Sequence, residues 1–228
     1  MRRTFVCSDL HGIWSLYEQM NKFIQPGDKV IFLGDAADRG PDGWRIIRSI
    51  AANPQWTFLK GNHEDMLAKA MSEFCREEFY QENTELLVWN GGEKTLQDWI
   101  ADGAQEGWIH WLNKLPVQIS YVNKDSINIE LSHAGFSPHE QLKPTTEYEL
   151  LWDRKHIHVG WNKDWFENTI VVHGHTPIPH IFPSKDYEPG ALWYANSQKV
   201  CIDNGSFSTG YGCLLDLDTF DEHIFKAV

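Results

Sequence analysis

The chain is short of the features that would make it a disulfide scaffold, a membrane protein or a nucleic-acid binder. Its cysteines, Cys7, Cys75, Cys201 and Cys213, are scattered, with no C-x-x-C pair and no zinc-site spacing. They read as free, buried thiols in a reducing compartment. No stretch approaches the roughly 18 to 20 consecutive apolar residues of a membrane span. The apolar run in Met1-Arg2-Arg3-Thr4-Phe5-Val6-Cys7-Ser8-Asp9 stops too early for a signal-peptide core. The expected location is therefore cytoplasmic, away from membranes. Positive charge is scarce as well: 20 Lys and Arg stand against 32 Asp and Glu, a formal charge of −12. A general nucleic-acid binder needs a basic face for phosphates, so nucleic acid is not an expected partner. An anionic substrate would need a local positive centre to overcome the average field.

What remains is ordinary for a globular protein. The 228 residues, 42% hydrophobic and 23% charged, suffice for one sizeable α/β domain over 1–228. In the first third, short apolar runs alternate with helical periodicity. Strands are expected at 4–8, 29–33 and 56–59, and helices at 13–24, 43–52 and from 63 to about 80. That alternation implies right-handed crossovers and a parallel sheet covered by helices. From about 82 to 115 the pattern becomes an irregular or helical insertion carrying Trp89, Trp99, Trp108 and Trp111. Core tryptophans are the expectation there; a lid or substrate groove is the sharper alternative. Beyond Pro116 the chain turns β-rich. Segments 117–122 and 127–131 flank the hairpin signal Asn123-Lys124-Asp125-Ser126, and strands are expected at 169–173, 199–203, 211–217 and 223–226.

Polar residues of metal-binding type stand where these strands should end. The fragments are Ser8-Asp9-Leu10-His11-Gly12, Gly34-Asp35-Ala36-Ala37-Asp38-Arg39-Gly40, Gly61-Asn62-His63-Glu64, Ser132-His133-Ala134-Gly135 and His173-Gly174-His175-Thr176. Singly each is weak, because a lone His is more often structural and Asp before Gly is usually a turn. Together, each at a strand exit, they should converge on one crevice, since ligands bind at the carboxyl ends of strands in open α/β sheets.

This series, D-x-H-G, G-D-x-x-D-R-G, G-N-H-E, S-H-A-G and G-H-T, resembles the calcineurin-like metallophosphoesterases. Within them it is similar to the phosphoprotein phosphatase branch in its compact bacterial and phage lambda form. The motifs run from Asp9 to His175, and Ile202-Asp203-Asn204-Gly205 fits the closing sheet. The resemblance implies a four-layer α/β fold, a central β-sandwich flanked by helices. It implies two divalent metal ions, the first held by Asp9, His11 and Asp35, the second by Asp35, Asn62, His133 and His175. Asp35 would bridge ions about 3.5 to 4 Å apart. Oxygen and nitrogen donors without thiolate suit Mn²⁺, Fe or Zn²⁺, and three imidazoles argue against Mg²⁺ or Ca²⁺; manganese is the expected metal. Two such ions, less two carboxylates and a bridging hydroxide, leave about +1 for an incoming phosphate.

The implied chemistry is direct in-line attack by the dimetal-bridging hydroxide on a phosphate monoester. His63 would protonate the leaving oxygen, oriented by Asp38, while Arg39 and Arg154 donate to phosphate oxygens. Glu64 would support the loop or helix start. The implied substrate is a phosphorylated protein or peptide, handled by a serine/threonine or dual-specificity phosphatase. In the broader family a G-H-x-H segment supplies another ligand, but Pro177 fills that last place, leaving His173 a supporting role. His110, His139, His156, His158, His180 and His223 lie outside the motifs and are expected to be structural or exposed. The nearest alternative is a nucleotide hydrolase similar to the symmetrical diadenosine tetraphosphatases, whose second motif tends to lack the aspartate present here as Asp38. A cyclic phosphodiesterase lacks support without G-H-x-H, and an idle scaffold is disfavoured by the full ligand set. Substrate choice is expected to depend on the insertion and on segment 177–193.

Overall fold

Both faces of the first strand are buried, and that fixes the layering. In β1 (Thr4–Cys7) Phe5 and Cys7 enter one core and Val6 another, as side chains alternate across a strand. The next strand, β2 (Lys29–Phe32), repeats the division, with Val30 and Phe32 on one side and Ile31 on the other. Strand β3 (Trp56–Phe58) continues the parallel run, pairing Val30 with Trp56. Two later strands, β9 (Tyr211–Asp216) and β10 (Glu222–Lys226), extend it antiparallel, giving the order β10-β9-β1-β2-β3. The computed structural model describes residues 2–76, 81–135, 145–158, 168–181, 183 and 187–228.

The second sheet holds β4 (Gln118–Val122), β5 (Asn128–Ser132), β6 (Thr169–His173), β7 (Leu192–Tyr194) and β8 (Lys199–Cys201), in the order β4-β5-β6-β8-β7. Its Ile129, Leu131, Val172 and Val200 meet Val6, Ile31, Leu33, Leu59, Leu215 and Leu217 of the first sheet, which makes the pair a sandwich. The hairpin lies where expected: β4 and β5 pair antiparallel up to Val122 and Asn128, and Asn123 Oδ1 accepts from the Asp125 and Ile127 amides.

Helices close both outer faces. Over the first sheet lie α1 (Trp14–Phe23), α2 (Gly43–Ala51) and α3 (Asn62–Arg76). Leu16 and Met20, then Ile46, Ile47 and Ile50, then Met66, Leu67, Ala70 and Met71 enter the helix-facing core at helical spacing. The expected continuation of α3 over 77–80 lies outside the described residues. Over the second sheet, Leu150 of α7 (Glu147–Trp152) packs on Val171, and Ile178 and Ile181 of α9 (Ile178–Ile181) pack on Cys201. The short α8 (Lys155–His158) adds Ile157 to that cluster. These layers agree with the four-layer α/β expectation, and the first sheet is mixed rather than purely parallel. Among the described residues no helix is long and apolar enough to cross a membrane. All four cysteines are free, with Cys75 half-buried and the others buried.

The insertion is helical: α4 (Glu82–Trp89), α5 (Glu93–Ala101) and α6 (Gly107–Asn113). Trp99 is fully buried, and Trp108 and Trp111 pack against the same core, Trp108 meeting Trp44 edge-on at 4.9 Å. Trp89 corrects the expectation, being 89% exposed. The cause is helical geometry: the buried position of α4 is Leu87, and a residue two places on lies about 200° around the helix.

Glu73 of α3 anchors this insertion. Its carboxylate accepts from the Asn83 and Thr84 amides, at 2.9 and 2.8 Å, and from both of their side chains. It thus satisfies orphan donors in the first turn of α4. Glu73→Ala is expected to destabilise the fold by about 2 to 3 kcal/mol, because several donors lose a largely buried partner. Burial alone would raise the Glu73 carboxyl, but the amides and side chains of Asn83 and Thr84 hold it below its usual range. A depressed carboxyl stabilises the fold above its unfolded pKa and ceases to as pH falls through the folded value. Urea unfolding of wild type and variant at neutral pH and then at pH below the ordinary carboxylate range measures both effects; the gap between them should narrow only there, as pH falls through the depressed value.

Candidate metal centre

Every motif ends up at a strand exit on one rim of the sandwich. Asp9 and His11 follow β1, Asp35 follows β2, Asn62 and His63 open α3 after β3, His133 follows β5 and His175 follows β6. The turns are sharp. Asp9 (φ 52), His11 (φ 44), Asp35 (φ 57), Asp38 (φ 69), Arg39 (φ 64) and His175 (φ 66) all hold the left-handed conformation. Each such residue costs roughly 1 to 3 kcal/mol and persists only where its surroundings over-determine it. Here the Asp9 amide donates to Gly34 O, the His11 amide to Asp35 O and the Arg39 amide to Gly91 O, while Ser206 Oγ donates to Asp9 O. Gly61 is required by close approach, since a Cβ there would run into the carboxylates of Asp35 and Glu64.

Among the described residues the donor atoms form two groups that share Asp35. His11, Asp35 and His63 make one, and Asp35, His133 and His175 the other, with all donor atoms of a group within 4.8 Å of one another. Asp9 Oδ1 lies 3.9 Å from His11 Nε2, beside the first group. Asn62 joins the second, its Oδ1 2.9 Å from His133 Nε2 and 3.0 Å from His175 Nδ1.

Hydrogen bonds orient these imidazoles. His11 Nδ1 faces Ala37 O at 3.1 Å and His133 Nδ1 faces Leu33 O at 2.7 Å. A carbonyl can only accept, so both Nδ1 atoms donate and both Nε2 atoms turn inward as potential ligands. His133 Nε2 then faces Asn62 Oδ1, Asp35 Oδ1 at 3.3 Å and His175 Nδ1 at 3.2 Å. Such a set of acceptors repels itself unless positive charge lies among them. In the protein alone that charge is a proton: burial opposes it, yet Asp35, Asp9 and Glu64 push His133 up to about 10. A divalent cation satisfies the same atoms, and the nitrogen and oxygen donors suit the metals expected from the sequence.

The carboxyls respond to their surroundings in opposite senses. Burial, reinforced by Asp203, raises Asp9 well above the usual carboxylate range. Burial acts on Asp35 in the same direction, but His133 and His63 hold it well below. Glu64 accepts from the amides of Asp35 (2.7 Å), Ala36 (3.0 Å) and Gly61 (2.9 Å), clamping two motif loops to the start of α3. Burial and Asp35 push it up to about 7. Its expected supporting role is thus seen directly.

Within the first donor group His63 is engaged on both ring nitrogens: Nδ1 lies 2.7 Å from Asp38 Oδ2 and Nε2 lies 3.3 Å from Arg39 Nη2, which leaves Asp9 beside His11 and Asp35 as the further donor. A guanidinium can only donate, so Nε2 accepts there and Nδ1 donates to Asp38. Burial opposes charge on His63, but Asp35 and Asp38 outweigh it and raise its pKa. Arg154 reaches the same rim, donating from Nη1 to Thr176 Oγ1 at 2.7 Å, next to His175. His173 stays out of both donor groups, its Nε2 2.6 Å from the Tyr194 hydroxyl. His156 is buried, His223 stacks on Phe23, and His110, His158 and His180 are exposed; His139 lies outside the described residues.

Sequence reasoning missed Thr95, Ser206 and Asp203. Thr95 Oγ1 lies 3.1 Å from the Asp38 amide. Asp203 is a buried carboxylate electrostatically coupled to Asp9 and pushed by burial up to about 6. Its position after β8 repeats the strand-exit signal of the other motifs.

Fold and site together define a metallophosphoesterase. The profile of the calcineurin-like phosphoesterase family matches residues 2–215, and the chain belongs to that family. It is 32% identical over 223 residues to serine/threonine-protein phosphatase 2 of Escherichia coli (strain K12), covering 92% of this chain and 90% of that one. It is 24% identical over 170 residues to the asymmetrical bis(5'-nucleosyl)-tetraphosphatase PrpE of Oceanobacillus iheyensis, covering 66% and 63%. A metallophosphoesterase structure from Sphaerobacter thermophilus shares the fold, with TM-score 0.59 and 13% identity over all of this chain and 88% of that one.

Proposed function

We propose that this phosphoesterase, as a single catalytic domain over 1–228, removes phosphate from serine and threonine side chains of proteins. Dual specificity toward phosphotyrosine is the wider form of this reading. The observation that carries it is the Asp38–His63 pair at 2.7 Å, with Arg39 beside it. A serine or threonine alkoxide is a poor leaving group and needs a proton in the transition state. The phosphate leaving group of a dinucleoside tetraphosphate is far more acidic and needs none.

Asp9, His11 and Asp35 would hold a first ion, and Asp35, Asn62, His133 and His175 a second, manganese being the proposed metal. When bound, the ions supply Lewis acidity toward phosphoryl oxygens and a water made nucleophilic near neutral pH. Arg39 and Arg154 donate to the phosphate oxygens. Once Arg39 turns to the phosphate and the ring takes up a second proton, His63 Nε2 would give that proton to the leaving oxygen, and Asp38 holds the ring through Nδ1. The free cysteines support a reducing, cytoplasmic setting.

A second reading, a diadenosine tetraphosphatase-like hydrolase, is favoured by the similarity to the tetraphosphatase from Oceanobacillus iheyensis. The two separate when chelator-stripped protein is resupplied with Mn²⁺ and phosphate release is measured. The substrates are p-nitrophenyl phosphate, phosphoserine, phosphothreonine and phosphotyrosine peptides, and diadenosine tetraphosphate. Manganese-dependent turnover of the serine and threonine phosphopeptides is expected to exceed that of the dinucleotide. The reverse order would transfer the chain to the nucleotide hydrolases, and no turnover at all would revive the scaffold.

A further inference from the structure

Trp89 is out of place for a surface residue. It is 89% exposed, and its neighbours Leu86 and Val88 on α4 are 44% and 43% exposed. Val88 points away from Leu86, but Leu86 and Trp89, three places apart, share one exposed face of this short helix, and two large apolar side chains there call for a partner.

Their position says which. Trp89 is followed by the turn Asn90-Gly91-Gly92, and Gly91 is welded to Arg39. The Gly91 carbonyl accepts from the Arg39 amide at 2.8 Å. A Cβ on Gly91 would stand 3.2 Å from Arg39 Cα, so the two backbones touch. Arg39 in turn reaches His63 Nε2 at 3.3 Å. Trp89 therefore stands two residues from the turn that touches Arg39, on the His63 side of the site. Its surroundings carry a sign as well. Glu82, Glu85 and Glu93 are exposed on α4 and at the start of α5, and the nearby Lys94 is paired with Asp98. That field repels a polyphosphate and accepts neutral or basic polypeptide.

We propose that Leu86 and Trp89, three places apart on one face of α4, form a docking surface for an apolar side chain that flanks the phosphorylated residue of a polypeptide substrate. This rests on the protein phosphatase reading above. The contact is remote from phosphorus and equal in ground and transition states, so it acts on KM and leaves kcat alone.

The test uses the Mn²⁺-loaded full chain, wild type and Trp89→Ala, with two phosphothreonine peptides. One carries leucines beside the phosphothreonine and the other glycines. Wild type should favour the leucine peptide by about tenfold in kcat/KM, through KM, the gain expected from burying one apolar side chain. Trp89→Ala should erase that preference, and an unchanged thermal melt would show that the fold is intact. Equal turnover of the two peptides by wild type, or the same preference in the variant, overturns the docking surface while leaving the phosphatase reading standing. If wild type cleaves neither peptide but cleaves diadenosine tetraphosphate, the phosphatase reading fails and the docking surface with it.

Discussion

Asp35→Asn is expected to abolish metal binding and turnover together, with kcat/KM falling by at least about 10³-fold, the several kcal/mol that metal charge contributes in such sites. Asp35 belongs to both donor groups found among the described residues, so its loss reaches both. Its carboxyl is kept ionised in spite of burial because His133 and His63 lie against it. An amide of the same size keeps the hydrogen bond that Asp35 Oδ1 accepts from the His63 amide at 3.1 Å. It gives up the charge, and it turns an N–H toward ions that need acceptors. Metal content after dialysis against Mn²⁺, measured by mass spectrometry beside the activity assay, decides the matter. A variant that keeps the wild-type stoichiometry would show that Asp35 does not bridge.

His63→Asn should separate what Asp35→Asn joins. Metal content should stay at the wild-type level while kcat on phosphothreonine peptides falls about 10² to 10⁴-fold, the range for losing a positioned general acid. The deficit should shrink sharply with p-nitrophenyl phosphate, whose phenolate leaves without a proton. A uniform loss on both substrates would remove His63 from the acid role. Titration of the ring in the metal-free protein adds an independent measure. Burial works against charge on His63, but Asp35 and Asp38 raise its pKa. The protonated ring is thus present below that raised value and lost as pH climbs through it, which NMR of the imidazole reads directly. Asp38→Asn removes one of the two carboxylates, so that titration should move to lower pH.

The site was far more legible than the scaffold that holds it. Asp9, His11, Asp35, Asn62, His133 and His175 stand out because residue types that can hold a metal recur at successive strand exits. The structure brings them to one rim. The sandwich was invisible to periodicity alone, since strands such as β1 bury both faces and read like any parallel core strand. That architecture came from the resemblance. Glu73 gave no signal either: it caps α4 from another helix, ten residues before Asn83, and a mid-helix glutamate looks like a solvated one. Asp203 was hidden because it was counted into the expected strand 199–203 and the closing sheet, whereas β8 ends at Cys201 and leaves its carboxylate beyond the strand. Trp89 failed for the opposite reason: hydrophobicity suggested burial, and only the rotation of α4 relative to Leu87 shows that it faces water.

The left-handed backbone at Asp9, His11, Asp35 and His175 limits where this centre can go in evolution. Aspartate, asparagine and histidine are the side chains that adopt that conformation most readily, and glycine adopts it without bringing a donor. Mutational drift at those positions is therefore held within a small alphabet that is already one of oxygen and nitrogen ligands. A descendant could exchange metals by trading aspartate, asparagine and histidine among these places. Reaching a glutamate-rich or thiolate-rich centre would first demand new loops, so the ancestry of the backbone constrains the chemistry before any metal arrives.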